Sequence, residues 1–489
     1  DFGFQIFRAV LFTLALLAGT ASAQIILPGK SPQDKFLAPF WAQNNNAGIT
    51  VQGLNANATA DEFAQLLMPP GIPKTVSSIA SLVSSAVTGV NKQDWLHVAD
   101  TARGGIFYLV NDQTSTNRGT KIASSTAAYS WQRVFSGPVE LEWFGPVADG
   151  ATDDRAILLE WIAAAKAAAA KVARLSERTY KVTGTLDVSG LRIIGNNARI
   201  KGDGTAYVLQ ALGSIGTYQN LDANATIGAA SITCVALAGS VVKGDLVKII
   251  SDAQFLAGSP EGDRRQGEMH VVESVTGGNV IRFMDVLFDT YTTANVAKAA
   301  KVTPTTLELS DLTIEQADYN ITTAPVPQGV FVKYGFRPII TARFQNCGEA
   351  AIRVQDCWAP DINAESDNSF YSTTGTSYGV SISNATMYGR VRGQYLNARH
   401  AVTVGGNTEH GVAWELLVQA TGSAHPDATQ GVFDSHGTSG SVIWDGCTAI
   451  GSAATHRGFG SFARRTVIRN CRVIGAKYGL YLSTATHTI

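Results

Sequence analysis

Charge is scarce in this chain. Lys, Arg, Asp and Glu together make up 16 % of its 489 residues, and the two signs nearly cancel, 38 basic against 39 acidic. Without a basic excess there is no bulk electrostatic hold on a nucleic acid, and no nucleic-acid partner is expected. Cysteine is scarcer still. Five dispersed residues exclude a disulfide scaffold, and no C-x-x-C spacing is present for a metal knuckle. Neither a metal nor another cofactor is therefore expected. Glycine, by contrast, is abundant at 48 residues, and with Thr, Ser and Val it favours short strands and tight turns over helices. The length leaves room for two or three domains and a large core.

One long apolar run stands out at residues 4–23, FQIFRAVLFTLALLAGTASA, with an A-x-A pattern at Ala21-Ser22-Ala23. Two readings stand for it: a secretory signal, or an uncleaved apolar helix docked in a larger assembly. Residues 24–93 are low in charge and rich in Asn, Ala, Ser and Pro, and MPPGIP at 68–73 breaks any regular element. Residues 76–90 allow one short amphipathic helix. The segment 1–93 reads as an attachment arm. From 94 to 142 the pattern changes to short alternating strands, at 105–110, 119–122 and 131–135, which read as a small β module.

The stretch WFGPVADGATDDRAILLEWI at 143–162 divides the chain. Thr152 is placed to cap a helix, with Asp153 and Asp154 in its first turn at the positive end of the dipole. Ile157, Leu158, Trp161 and Ile162 form a helical apolar stripe, and an alanine-rich continuation extends the expected helix to about Arg174. Strands are expected at 178–182 and 191–195. The run W-F-G-x-x-x-D-G-x-T-D-D before an alanine-rich helix resembles the start of the pectate-lyase-like right-handed β-helix, a family that includes phage tailspikes and pectin-degrading enzymes. The resemblance implies that the helix covers the open end of a solenoid whose unpaired backbone would otherwise recruit strands. In place of the family's usual Pro-Pro-Gly before Tyr180 stands Leu175-Ser176-Glu177-Arg178.

Residues 205–303 interrupt the coils with strands at 241–250 and 267–272, an inserted β subdomain, and the coils resume from 307. The charged loop 261–265 reads as solvated. A repeat is countable at Gln345-Asn346-Cys347, Leu396-Asn397-Ala398, Asp445-Gly446-Cys447 and Arg469-Asn470-Cys471. The step from Cys447 to Cys471 is one period, and the two earlier steps are each close to two. The period is about 24–25 residues, one turn of a three-sided coil. Cysteines recurring at one phase read as inward thiols, with Cys447 and Cys471 as neighbours. The expected fold is all-β: a right-handed parallel β-helix with an N-terminal capping helix, an inserted β subdomain and an N-terminal attachment region.

Active sites of a β-helix lie on its outer faces, where residues of successive coils stack about 4.8 Å apart. Asp434 precedes Cys447 by the same interval at which Glu409 precedes Gly422, where the preceding coil's equivalent is expected. The count therefore places Glu409 and Asp434 one coil apart, flanked by His410 and His436, as the catalytic group. His400, Arg457 and Arg464, within one or two coils, are expected to bind substrate. Asp361 and Asp367, beside Phe370 and Tyr371, are further binding candidates. Two carboxylates on one face suit glycoside hydrolysis, whereas His and Arg beside an acidic sugar suit β-elimination. Asp434 and His436 would otherwise simply cap a turn.

The segments 399–406 and 433–437, with Gly458-Phe459 and Arg464, are similar to β-helix proteins of the glycosyl-hydrolase-like and tailspike-like kind. The polygalacturonase signatures N-T-D, D-D and G-H-G are not present as such, which speaks against pectin hydrolysis. The resemblance implies a phage tailspike that binds and depolymerises a bacterial surface polysaccharide, as a glycoside hydrolase or else a lyase. It further implies a homotrimer in the virion, joined to other virion proteins through residues 1–93. A secreted bacterial polysaccharide hydrolase or lyase, and a non-catalytic receptor-binding spike, remain as alternatives.

Overall fold

The computed structural model describes residues 74–85 and 95–482, apart from 206, 257–263, 317–327, 368–376, 406–409, 427, 429 and 452–455. The apolar run 4–23, most of the attachment arm, most of the loop 261–265, Phe370, Tyr371 and Glu409 lie outside the described residues. The chain divides into two compact units, residues 1–76 with 95–97, and residues 77–94 with 98–489. In the first, the described residues include the strand Lys74–Val76. Residues 95–97 of the strand Trp95–Val98 also belong to the first, and the other described elements belong to the second. Among the described residues no helix is long and apolar enough to cross a membrane.

Of the helix expected over 76–90, the described part, residues 76–85, is helical at Ile79–Ser84, capped where Ser81 N–H donates to the Ser78 hydroxyl. Within residues 94–142, the strands Gly105–Val110, Lys121–Ala123 and Ser130–Arg133 pair antiparallel. It is built around one buried cation. Arg133 donates to the carbonyls of Arg103, Gly104 and Gly119, and its guanidinium lies 4.5 Å from the ring centres of both Phe107 and Trp143.

The helix after the D-G-x-T-D-D run is shorter than its alanine content suggests. It spans Arg155–Ala167, and Val172–Arg174 is a strand of the solenoid. Leu158, Trp161 and Ile162 are buried, and the Trp161 indole donates to Val139 O at 2.8 Å. Thr152 is not the cap, because residues 149–153 form a strand that pairs with Thr179–Val182. The three aspartates instead accept backbone N–H groups that this turning segment would otherwise leave unpaired. Asp149 takes Ala151 and Thr152, Asp153 takes Arg155 and the Thr183 hydroxyl, and Asp154 takes Val147 and Ala148 at 2.8 and 2.9 Å.

Two long sheets make the solenoid. A nine-stranded parallel sheet stacks Leu186–Asp187, Tyr207–Leu212, Gln328–Lys333, Ala350–Gln355, Tyr378–Ser383, His400–Val404, Gly431–Ser435, Arg457–Ser461 and Tyr478–Leu482. A fourteen-stranded sheet holds the other long strands, such as Leu191–Gly202 and Leu307–Gln316. These long strands bend at left-handed residues, Asn196 and Asn197 in one and Asp311 in the next, where the register shifts. Both sheets close over a continuous core that includes Tyr180, Phe344, Tyr395, Phe433 and Trp444. A chain of single bridges, Phe336 to Trp358 to Met387 to Trp414, marks a third, narrow side.

The coils are not of one length. In the nine-stranded sheet, Val330, Ile352, Val380, Val402, Phe433, Phe459 and Leu480 are successive register partners, and the intervals between them are unequal. The longest of these coils runs from Val402 to Phe433 and the shortest from Phe459 to Leu480. The Asn-Cys spacing also conceals a slip. Ala398 pairs with Ala424, but Thr421 pairs with Thr448, which leaves Cys447 short of the phase of Ala398. All five cysteines are free thiols, and Cys447 and Cys471 are neighbours on adjacent coils.

Tyr207–Leu212 pairs parallel with Gln328–Lys333, so the insertion begins after residue 212 rather than at 205. It folds into a seven-stranded antiparallel sheet whose central strands are Lys298–Thr303, Leu246–Gln254 and Arg265–Thr276. Its Leu246, Phe255, Met269 and Val271 pack on Trp358, Met387, Val412 and Trp414, closing the narrow side of the solenoid. A buried ion pair pins it there. Lys248 Nζ lies 2.7 Å from Asp356 Oδ1, and Asp356 also accepts Asn384 Nδ2 and the Ala385 amide.

Candidate active site on the nine-stranded face

Strands of the nine-stranded sheet carry a small or apolar pair that faces inward, such as Ala351-Ile352, Ala401-Val402 and Val432-Phe433. The doubled inward step leaves the flanking residues, i and i+3, on the outer face. Down the sheet the flanking pairs are Tyr207/Gln210, Gln328/Phe331, Ala350/Arg353, Tyr378/Ser381, His400/Thr403, Gly431/Asp434 and Arg457/Gly460. Where the inner position is glycine the coils touch. A Cβ built on Gly379 would come within 2.4 Å of Ala401 O.

This geometry brings together His400, Asp434 and His436. Their ligand-capable atoms all lie within 4.8 Å of one another. Asp434 is buried, and its Oδ2 lies 3.1 Å from His436 Nε2. The next coil makes room for the carboxylate with a glycine, since a Cβ on Gly460 would meet Asp434 Oδ1 at 2.2 Å. The His400 ring is stacked on Tyr378 at 5.5 Å and stands at 86° to His436. Its Nδ1 is 2.5 Å from Gly431 O. A carbonyl only accepts, so Nδ1 carries the proton and Nε2 the lone pair. That Nε2 is buried with no hydrogen-bond partner among the described residues. Burial, with the charges of Arg399 and His436, holds His400 well below the usual histidine range, so it is neutral.

Around this centre lie cations and aromatic rings. Arg399 donates to the Tyr378 hydroxyl at 3.0 Å. Arg457, the register partner of Gly431, stands 3.7 Å from the centre of the Tyr481 ring. Further up the face Tyr207 and Phe331 stack at 4.9 Å, and Arg353 bridges the Tyr207 hydroxyl and Glu349.

Other candidates are placed elsewhere. The partner of Asp434 one coil earlier is Thr403, not Glu409, because the coil from Val402 to Phe433 is longer than its neighbours and the regular count fails there. His410 faces the insertion, its Nε2 2.9 Å from Asp252 Oδ1. Arg464 also turns to the insertion. It pairs with Asp289 at 2.7 Å and lies over Phe255 at 4.1 Å. Asp361 and Asp367 lie on the fourteen-stranded sheet, paired with Arg392 and Asn397. The count missed Tyr378, Arg399 and Gly460. Tyr378 had a signal, the local pattern of one polar residue, two inward residues and one polar residue, which recurs whatever the coil length.

The stacked parallel sheets define a right-handed parallel β-helix. Residues 346–483 match the model of the family described as Gp49, pectin lyase-like. Three solved structures share the fold. The Gp54 tailspike of Acinetobacter baumannii bacteriophage AP22, solved with A. baumannii capsular saccharide, is 20 % identical with a TM-score of 0.54, over 69 % of this chain and 58 % of that one. The tailspike gp49 of Pseudomonas phage LKA1 is 19 % identical with a TM-score of 0.56, over 71 % and 64 %. The tailspike gp61 of Pseudomonas phage phi297 is 17 % identical with a TM-score of 0.53, over 71 % and 67 %. The chain thus spans less than two thirds of the length of the first two. No curated protein matches the sequence.

Proposed function

We propose that the chain belongs to a phage tailspike that binds a bacterial surface polysaccharide along its nine-stranded face and cuts it at His400, Asp434 and His436. One observation carries the reading: a buried carboxylate paired with a part-exposed histidine, beside a neutral second histidine, on a face lined with Tyr and Arg. Asp434 orients His436, which suits His436 to move a proton at the glycosidic oxygen or at a sugar carbon. The part-exposed ring pair of Tyr207 and Phe331 offers apolar surface for sugar rings. A capsular saccharide is the ligand of the AP22 tailspike structure, whose fold is shared.

Glycoside hydrolysis is the first reading of the reaction. Elimination from a uronate is the second, favoured by Arg399 and Arg457 as counter-charges for an acidic sugar. A homotrimer in the virion tail, anchored through residues 1–93, completes the proposal. The test is to incubate the protein with a panel of bacterial capsular polysaccharides and lipopolysaccharides and to analyse the products. New reducing ends alone support hydrolysis, and an unsaturated, ultraviolet-absorbing product supports elimination. Binding without any shortening of the polymer would leave a receptor-binding spike.

A further inference from the structure

We propose that His400, Asp434 and His436 form a binding site for one divalent transition-metal ion of the zinc type. The absence of C-x-x-C spacing argued against a metal in the sequence, but these ligands come from two coils and share no short motif.

Three observations converge on the site. The first is distance. Two ligands each about 2.1 Å from one ion lie roughly 3.0–3.4 Å apart at octahedral to tetrahedral angles. Asp434 Oδ2 and His436 Nε2, at 3.1 Å, already span such an edge. One ligand-capable atom from each of the three residues lies within 4.8 Å of the other two. The second is the His400 lone pair. Its Nε2 is buried and unpartnered among the described residues, although a buried acceptor ordinarily finds a donor. An ion supplies that partner. The third is the tautomer. The Nδ1–H bond to Gly431 O is the outer contact that metal-binding histidines typically make, and it leaves the Nε2 lone pair free for the cluster.

The donor set selects the ion. Two imidazoles and one carboxylate suit zinc and its borderline neighbours, whereas calcium and magnesium take oxygen ligands. Three protein ligands leave coordination positions open, as in catalytic rather than structural sites. The framework is rigid, because His400 and Asp434 lie on adjacent paired strands.

One consequence rests on the function proposed above. The Asp434 and His436 atoms that bind the ion are those that share the proton, so the ion and the proton-transfer pair exclude each other. Zinc then switches the depolymerase off.

Binding is measured first, without any polysaccharide. Chelator-stripped full-length protein is titrated with zinc by calorimetry, and its metal content is read after gel filtration. One ion per chain is expected, with a higher melting temperature. His400→Ala and Asp434→Asn should each weaken binding by at least about tenfold, on the scale of losses at metal sites. Arg343→Gln, at an exposed position on the fourteen-stranded sheet, should bind as wild type and control for fold. No stoichiometric binding, or binding that both ligand substitutions leave unchanged, overturns the inference. Cleavage is measured separately on the loaded and stripped protein. Stripped protein that cuts and loaded protein that does not support both proposals. Cleavage only when loaded keeps the metal site and overturns the proton-transfer role of His436. Cleavage indifferent to a bound ion keeps the metal site and moves the cut elsewhere.

Discussion

The carboxylate of Asp434 lies against Gly460 of the next coil, and a methyl group on Gly460 would approach Oδ1 to 2.2 Å. Asp434 and Gly460 are register partners on adjacent strands, so one coil sets the room for the carboxylate of another.

Gly460→Ala should therefore displace Asp434 and with it His436. A misplacement near 1 Å can cost about a hundredfold in rate. Polysaccharide cleavage by the variant, compared at matched thermal stability, checks this. A fall of that order with an unchanged far-ultraviolet circular dichroism spectrum is expected.

The buried pair of Lys248 and Asp356 joins the insertion to the solenoid. Lys248→Met leaves Asp356 charged, buried and held by Asn384 and the Ala385 amide alone. Breaking a buried pair from one side costs roughly 3–5 kcal/mol. Urea unfolding should show that loss, and adding Asp356→Asn should recover part of it.

The insertion should also lose stability as pH rises. Burial opposes a charge on His270, but hydrogen bonds and charge from Asp285 and Glu268 outweigh it and raise His270 to about 9. A folded value above the unfolded 6.5 gives stability that is present below pH 6.5 and lost as pH climbs through 9. Asp289 acts in the same direction at lower pH. Burial raises it to about 6 against the pull of Arg464, so its share is lost between about pH 4 and 6. The melting temperature of the wild type should fall from pH 6.5 to 9, and His270→Gln should flatten that part of the profile.

Under the proposed function, the stacked rings of Tyr207 and Phe331 bind sugar away from the cut. Removing one ring of a stacked pair should weaken sugar binding by roughly 0.5–1.5 kcal/mol, the scale of aromatic contacts. Tyr207→Ala and Phe331→Ala should raise KM and leave kcat unchanged in steady-state assays on long polymer. A fall in kcat alone would contradict a binding role.

Much of the fold was legible because it rests on local chemistry. The apolar stripe of Leu158, Trp161 and Ile162 located the helix, and alternating strands marked the β module and the coils. The aspartates Asp153 and Asp154 were read as first-turn helix residues because a sequence does not reveal which amides a turn leaves unpaired. Asp154 in fact holds Val147 and Ala148. At the site, His400, Asp434 and His436 were all named and do meet. The pairing of Glu409 with Asp434 assumed coils of equal length, whereas the coils between the partners Val330 and Leu480 differ in length. Arg464 and His410 were misplaced for a different reason. The insertion reaches back to the coils and engages both through Asp289 and Asp252, a contact between segments far apart in the chain that no local pattern announces.

The most direct test of the account is depolymerisation by Asp434→Asn. On a polysaccharide that the wild type shortens, the variant should lose about 10²–10⁴ in rate, the contribution of a positioned proton-transfer group. It should still bind the polymer and melt as the wild type does. Cleavage at the wild-type rate by both Asp434→Asn and His436→Gln would contradict the assignment of this face as the active site.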